Sequence, residues 1–173
     1  LDRPAVSALT ELMAPPTGDA AWPLAVFAAA GYRLHLAFSG NLIWGEDTER
    51  RIEGDERRDV EHLAHHPDRQ RLQRHLADDE VTARMVRWID EADPASPHLF
   101  LLQLDSTHWN YHFHAERAVE RDYAEAVDPR DLTTQEDLDR VRRRYLNAMH
   151  HVDAKVGEVL AALERKGMLG DTA

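Results

Sequence analysis

The feature that most constrains the fold is an apolar run, LFLLQL at residues 99–104, which stops abruptly at Asp105. Apolar side chains in this run do not alternate with polar ones, so a strand formed by it would be buried on both faces. Strands of this kind are typical of parallel sheets, in which helices cover both faces. The run therefore predicts an α/β fold with a mostly parallel sheet.

Three segments before this run support the same fold class. Residues 20–31 predict a short helix that ends at Gly31, a residue type favoured at helix C-termini. Residues 32–40 alternate apolar and polar side chains between two glycines, which indicates a strand. Residues 78–92 predict a second helix with one apolar stripe. The members of this stripe are Val81, Met85, Trp88 and Ile89.

The clearest predicted element is a long helix near the end of the sequence. It begins at a capping box formed either by Thr133 and Glu136 or by Thr134 and Asp137. Gly167 is the predicted stop, which gives a helix of about 30 residues. Apolar residues recur along it at steps of three and four: Leu138, Val141, Tyr145, Met149, Val152, Val156, Val159 and Leu163.

Residues 46–95 are highly charged in their first part, and we interpret them as a helical insert interrupted at Pro67. Two convincing strands do not complete a sheet, because sheets average about five or six strands. We expect the missing strands outside this sequence; weak strands within it, or strands of another chain, are the alternatives. The chain then divides into a helix–strand unit (1–45), the charged insert (46–95) and a unit of strand, loop and long helix (96–173).

The composition excludes several classes of function. The 32 acidic and 21 basic residues give a net charge of −11, whereas a nucleic-acid-binding surface needs a basic face. The absence of cysteine excludes disulfides, thiolate metal sites and a cysteine nucleophile. No apolar run reaches the roughly 18–20 residues that span a bilayer, so no membrane segment is predicted in this sequence.

Polar side chains follow the apolar run directly, at the edge of the sheet where α/β proteins bind ligands. Asp105 could position a proton or a cation, and His108 could donate to an anionic oxygen. The alternative is a loop whose polar groups only cap the ends of strands and helices, and position alone does not choose between the two. Residues 39–41 would lie at the same edge if the two strands are parallel.

The remaining histidines suggest metal ligands only weakly. His112 and His114 could chelate a metal from an extended segment, and His62 and His66 have the spacing of a helical metal pair. We interpret the first two as loop residues and the second two as part of a solvated face. The adjacent residues 150 and 151 are both histidine, and we predict that one faces the sheet and the other faces solvent.

Two stretches of the sequence resemble the sulfatases of the alkaline-phosphatase superfamily. Residues 144–172, RYLNAMHHVDAKVGEVLAALERKGMLGDT, resemble the family helix that leads into the strand carrying its Asp-His metal ligands. The positions that match in register are Tyr145, Asn147, Asp153, Gly157, Leu160, Leu163, Gly167 and Thr172. Residues 98–111 are similar to the family strand that ends in a "HxPY"-like or "DxPHxxY"-like turn, although Thr107 stands where the family usually has the proline before the histidine. Residues 22–40 give a weaker match to a helix–strand unit.

The resemblance implies a partial alkaline-phosphatase-like fold and a site at the turn after residues 99–104. By this match His108 contacts the sulfate or phosphate group, and Asp105 and Tyr111 support it. The family nucleophile and metal ligands fall outside this sequence, so the resemblance implies no catalytic residue and no metal ligand within it. A divalent metal (Zn, Ca, Mg or Mn) is implied for a longer parent protein and not for this segment.

The predicted function is therefore part of a metal-dependent hydrolase or transferase for sulfate or phosphate esters, inactive as this segment alone. The variant looks closest to the membrane-anchored, lipoteichoic-acid-synthase-like branch. That branch implies a small anionic ester or lipid headgroup as substrate and a periplasmic or extracytoplasmic location. The alternatives are a catalytically degenerate sulfatase-like binding or regulatory domain, and a plain α/β interaction domain in which His108 is structural.

Overall fold

The computed structural model describes residues 23–39, 58–62 and 74–172. The main elements in chain order are α1 (Pro23–Ala29), β1 (Arg33–Phe38), β2 (Arg58–His62), α2 (Arg74–Glu91), β3 (His98–Gln103) and α3 (Gln135–Arg165). Short 3-10 helices lie at Ala115–Arg117, Pro129–Asp131 and Leu169–Asp171. Within the described residues, the strands form a parallel sheet in the order β2-β1-β3. The predicted α/β fold with a parallel sheet is confirmed.

Strand β1 lies at the centre of this sheet and is buried on both faces. On one face, Leu34 and Phe38 pack with Leu24 of α1, and all three side chains are fully buried. On the other face, Ala37 packs against α2 and α3 in a second apolar cluster. The helix stripe predicted from sequence belongs to this cluster: Val81, Met85 and Ile89 are fully buried, and Trp88 packs beside them. Helices therefore cover both faces of β1.

Strand β2 corrects the prediction of a charged helical insert, which is wrong over residues 58–62. These residues, RDVEH, pair in parallel with β1, from Leu34 opposite Arg58 to Phe38 opposite His62. The short segment contains a single apolar residue, Val60, so it has no hydrophobic pattern that would reveal a strand. Its partner, buried β1, offers the backbone hydrogen bonds that define the strand. One missing strand is thus a weak strand within the chain.

Strand β3 forms where the apolar run predicted it and pairs in parallel with the other side of β1. All of its residues are partly buried rather than fully buried, whereas the sequence predicted burial on both faces. The difference follows from its position, because β3 is the outer strand of the described sheet. Because β1 and β3 are parallel, the carboxyl ends of both strands lie at the same edge of the sheet.

Helix α3 begins at the capping box of Thr134 and Asp137, which decides between the two boxes that the sequence allowed. Gly167 follows the helix with φ +68°, a left-handed conformation that suits glycine. Of the eight apolar residues that reveal the helix, four are exposed: Leu138, Tyr145, Met149 and Val156 are each 38–48% exposed. The middle of the helix instead buries polar side chains at four-residue steps: Asn147, His151 and Lys155. None of the described helices combines the length and apolarity needed to cross a membrane.

Candidate functional site

The loop that follows β3, residues 105–114, is anchored at its start by a buried carboxylate. Asp78 of α2 is fully buried. Its Oδ1 accepts a hydrogen bond from the backbone N–H of Asp105 (2.8 Å), and its Oδ2 accepts one from the N–H of Ser106 (3.0 Å). Hydrogen bonds to a carboxylate are stronger than neutral ones. Asp78 therefore fixes the chain direction immediately after the strand.

The middle of the loop adopts a backbone conformation that its residues rarely choose. Asn110 and Tyr111 both have positive φ, +78° and +46°, which is uncommon for residues other than glycine. The Nε of Arg144 on α3 donates to the carbonyl oxygen of Asn110 at 2.6 Å. The ring of Tyr111 meets the ring of Tyr145 edge to face, 5.2 Å between centroids. These contacts with α3 hold the strained turn in place.

Arg144 is a half-buried cation that donates hydrogen bonds to carbonyl groups in and beyond this loop. Besides Asn110, its guanidinium donates to the carbonyl oxygens of Ala124 and Glu125, at 3.0 and 2.7 Å. Burial lowers the pKa of Arg144, although a guanidinium stays charged at any physiological pH. The arginine therefore ties two separate parts of the 105–134 region to helix α3.

The end of the loop meets a group of three side chains that we call the Asp79 cluster: Asp79 of α2, His114 of the loop and His151 of α3. The Nε2 of His114 lies 2.6 Å from Oδ2 of Asp79, and the Nε2 of His151 lies 4.0 Å from Oδ1. The ammonium of Lys155 lies 2.7 Å from the same Oδ1. Ligand atoms of the three cluster residues all lie within 4.8 Å of one another.

The protonation states in this cluster follow from burial and contacts. Burial acts to raise the pKa of Asp79, but hydrogen bonds with Lys155 and His114 outweigh it and lower the pKa. Burial acts to lower the pKa of Lys155, and its hydrogen bonds to Asp79 and Glu158 raise it overall. Burial lowers the pKa of His151. At neutral pH Asp79 is thus a carboxylate and His151 is neutral, and the charged ammonium of Lys155 lies next to the cluster.

The structure places the predicted site residues together in the 105–114 loop. Asp105 is half-buried at its start, His108 is exposed, and Tyr111 is half-buried against α3. The backbone N–H groups of His108 and Tyr111 donate to the carbonyl oxygens of Asp105 and His108, so the three residues share consecutive turns. At the same sheet edge, the hydroxyl of Ser39 donates to the carbonyl oxygen of Gln103 (3.2 Å). Residues 40 and 41 lie outside the described residues.

The predicted histidine pairs have different outcomes. Nε2 of His114 lies 2.6 Å from Oδ2 of Asp79. His62 lies in strand β2, so the helical spacing suggested for it is wrong, and residues 65 and 66 lie outside the described residues. On α3, His150 is exposed and His151 is buried. His151 faces Asp79 of α2.

Sequence reasoning missed the residues that contact the loop, Asp78, Asp79 and Arg144, and Lys155, which pairs with Asp79. Asp78 and Asp79 begin a run of acidic residues in a charged helix, so the sequence does not distinguish them from solvent-exposed carboxylates. One signal was present on α3, where residues 147, 151 and 155 repeat at four-residue steps and so share one face. A polar stripe of this kind in an otherwise amphipathic helix indicates buried polar contacts.

The family model described as Sulfatase matches residues 24–173 of this chain. The chain belongs to the sulfatase family. The match includes β1, β3, the 105–114 loop and α3, so both stretches that carried the resemblance lie within it. No curated protein and no solved structure gave a significant match to the chain.

Sulfatases typically use a divalent metal, and the donor atoms of this chain can be compared with that requirement. Among the described residues, the Asp79 cluster is the group that offers three ligand atoms close together. Its carboxylate and two imidazoles are donor types that bind divalent metals. The ammonium of Lys155 next to Asp79 is a competing cation. Within the turn at residues 105–111, His108 is the one imidazole, and it is exposed.

Proposed function

We propose that this chain is part of a metal-dependent enzyme that hydrolyses or transfers sulfate or phosphate esters, and that the 105–114 loop lines its anion pocket. The observation that carries this proposal is the placement of His108 in a sulfatase-family chain. It is exposed in a rigidly anchored polar loop at the carboxyl edge of a parallel sheet, where α/β proteins bind their ligands.

The role of His108 follows from its donor groups. An imidazole N–H directed at a non-bridging ester oxygen stabilises the negative charge that develops there during transfer. We assign Asp105, whose carbonyl oxygen accepts the backbone N–H of His108, the supporting role of holding the imidazole tautomer that presents the N–H. Tyr111 carries a hydroxyl near the same turn and packs against α3 through its ring. A divalent metal, when bound, would neutralise ester oxygens and activate the nucleophile.

Rigid anchoring of the loop fits this role. Donors that are already in place stabilise charge without reorganising at the moment of reaction. Asp78 fixes the start of the loop, Arg144 fixes its middle, and Asp79 contacts its end. His108 lies between the first two anchors. Its backbone position is therefore determined by α2 and α3 rather than by the loop itself.

The proposal is tested by titrating the 173-residue chain with inorganic sulfate and with inorganic phosphate. Loss of one hydrogen bond to a charged group costs about 1.5–3 kcal/mol, so His108→Ala should weaken anion binding roughly 10- to 100-fold. The matched control is His150→Ala, which removes an exposed histidine of α3 and should leave the affinity unchanged. Equal affinities for the two variants would refute a role for His108.

We further propose that the parent protein belongs to the membrane-anchored, lipoteichoic-acid-synthase-like branch and acts on a lipid headgroup at the extracytoplasmic face. The support is the sequence resemblance carried by residues 98–111 and 144–172, which looks closest to that branch. Glycerol 1-phosphate should then compete with phosphate for the chain more effectively than an aryl sulfate does. The resemblance assigns neither nucleophile nor catalytic metal ligands to this chain, so it should bind these anions without turning over their esters.

A further inference from the structure

The Asp79 cluster connects three parts of the fold that are far apart in sequence. Asp79 lies on α2, His114 at the end of the 105–114 loop and His151 on α3. His151 has a side chain that is 4% exposed, whereas Asp79 and His114 are 30% and 17% exposed. The group is thus closed on the side of α3 and open to solvent on the side of the loop. An ion could enter from the open side.

The charges around the cluster leave an excess of negative charge. Among the described residues around it, Glu116 has a carboxylate oxygen 3.4 Å from Nδ1 of His114, and Glu158, which contacts Lys155 rather than the cluster, has one 2.6 Å from the Lys155 ammonium. The buried carboxylate of Asp78 precedes Asp79 directly. Lys155 supplies the positive charge in this set of contacts. Four carboxylates are therefore balanced by one ammonium, a field that attracts a further cation.

The distances in the cluster are close to those of a tetrahedral zinc site. Zinc bonds of about 2.0 Å to nitrogen and oxygen place neighbouring ligand atoms roughly 3.3 Å apart. Nε2 of His114 lies 2.6 Å from Oδ2 of Asp79, and Nε2 of His151 lies 4.0 Å from the other oxygen, Oδ1. With one ligand atom taken from each residue, the three atoms lie within 4.8 Å of one another, so rotation of the Asp79 carboxylate is needed to bring one oxygen to both imidazoles. Glu116, next to Nδ1 of His114, can orient that ring as carboxylates do behind zinc ligands.

We propose that Asp79, His114 and His151 bind a divalent transition-metal ion, with Zn²⁺ as the ion that this donor set suits best. Solvent takes the fourth position on the exposed side. The ion and the ammonium of Lys155 compete for Oδ1 of Asp79. Lys155 keeps its contact with Glu158 when the ion binds, so its charge stays paired. The bound ion links α2, the loop and α3.

The experiment is a Zn²⁺ titration of the metal-free 173-residue chain by calorimetry, repeated with Co²⁺ while its visible d–d absorption is recorded. We expect one ion per chain, with Kd below about 10 μM, and Co²⁺ bands of four-coordinate intensity. His114→Gln and His151→Gln should each weaken binding by at least 100-fold, about the upper end of the effect of losing a supporting contact to a ligand. The matched control, His150→Gln, changes the exposed neighbour of His151 and should have no effect.

A second variant makes the test independent of any folding defect. Lys155→Met removes the competing ammonium, so it should raise Zn²⁺ affinity about tenfold or more, opposite in sign to the histidine variants. The double variant His65→Gln/His66→Gln should leave the affinity unchanged. Absence of saturable binding in both the unmodified chain and Lys155→Met overturns the proposal, as does binding that survives His114→Gln or depends on residues 65 and 66. These measurements use no ester, so their outcome is independent of the proposed function.

Discussion

Asp78 should contribute more to this fold than its position in a charged helix suggests. Its two carboxylate oxygens accept backbone N–H groups at 2.8 and 3.0 Å, and Ser106, one of the two donors, is fully buried. Substitution Asp78→Ala leaves both N–H groups without this acceptor. An unsatisfied buried donor costs about 1–3 kcal/mol; because Ser106 is fully buried and Asp105 only half-buried, the expected loss in the free energy of unfolding is about 2–4 kcal/mol. That loss is a large fraction of the stability of a small domain, about 5–15 kcal/mol.

Asp78→Asn keeps the shape of the side chain and removes its negative charge. The amide retains one acceptor oxygen and presents an NH₂ to the other N–H, so the loss should be at least half that of Asp78→Ala. Urea unfolding followed by circular dichroism measures the free energy of unfolding of each variant. Sulfate titration measures the affinity for sulfate, which reports whether the loop still holds His108 in place. Because the loop carries His108, the affinity for sulfate should fall in Asp78→Asn at temperatures where the chain stays folded.

The control for this pair is Glu80→Gln, which removes a carboxylate from an exposed position of the same helix. Its effect on unfolding should lie within about 0.5 kcal/mol of zero. A loss in Asp78→Asn no larger than that of Glu80→Gln would contradict the anchoring role. So would a destabilised Asp78→Asn chain that binds sulfate as tightly as the unmodified one, since Asp78 would then stabilise the fold without positioning the loop.

Three further perturbations test other contacts. Hydrogen bonds with Thr134 lower the pKa of Asp137 below its unfolded value of 3.8. The stabilisation from this cap is therefore fully present above pH 3.8 and is lost as the pH falls through the lower pKa of the folded state. The difference in helicity between the unmodified chain and Asp137→Asn, measured by circular dichroism, should vanish in acid; a difference that does not change with pH would contradict this. Met85→Ala, at a fully buried position, should cost about 2–5 kcal/mol in urea unfolding, and a loss below 1 kcal/mol would show that the site collapses around the smaller side chain. Arg144→Lys should weaken sulfate binding about tenfold because the ammonium cannot reach all three carbonyls, whereas Arg142→Lys, at an exposed position, should not; equal effects would refute the anchoring by Arg144.

Local signals explain what the sequence predicted correctly. The capping box at Thr134 and the left-handed turn at Gly167 are fixed by residues within a few positions, so both ends of α3 were predictable. Strand β3 was predictable because its apolar run is continuous. Its pairing with β1 was not predicted, because the sequence left open whether the two strands are parallel.

Contacts distant in sequence explain what the sequence could not predict. Strand β2 depends on pairing with β1 and has one apolar residue, Val60, so composition favoured a solvated helix. The contact between Asp79 and His114 joins residues 35 positions apart, and that between Arg144 and Asn110 joins residues 34 apart. No periodicity in either segment contains this information. Only the packing of α2 and α3 against the sheet brings these residues together.

The way in which the 105–114 loop is anchored affects how its chemistry can change. Asp78 and Arg144 bind backbone N–H and C=O groups of the loop, at residues 105, 106 and 110, and such groups are present whatever the side chains are. Side chains at positions 107–109 are thus not required by these anchors. Substitutions there could change which anion is recognised at little cost in stability, so that substrate preference and folding can be varied separately.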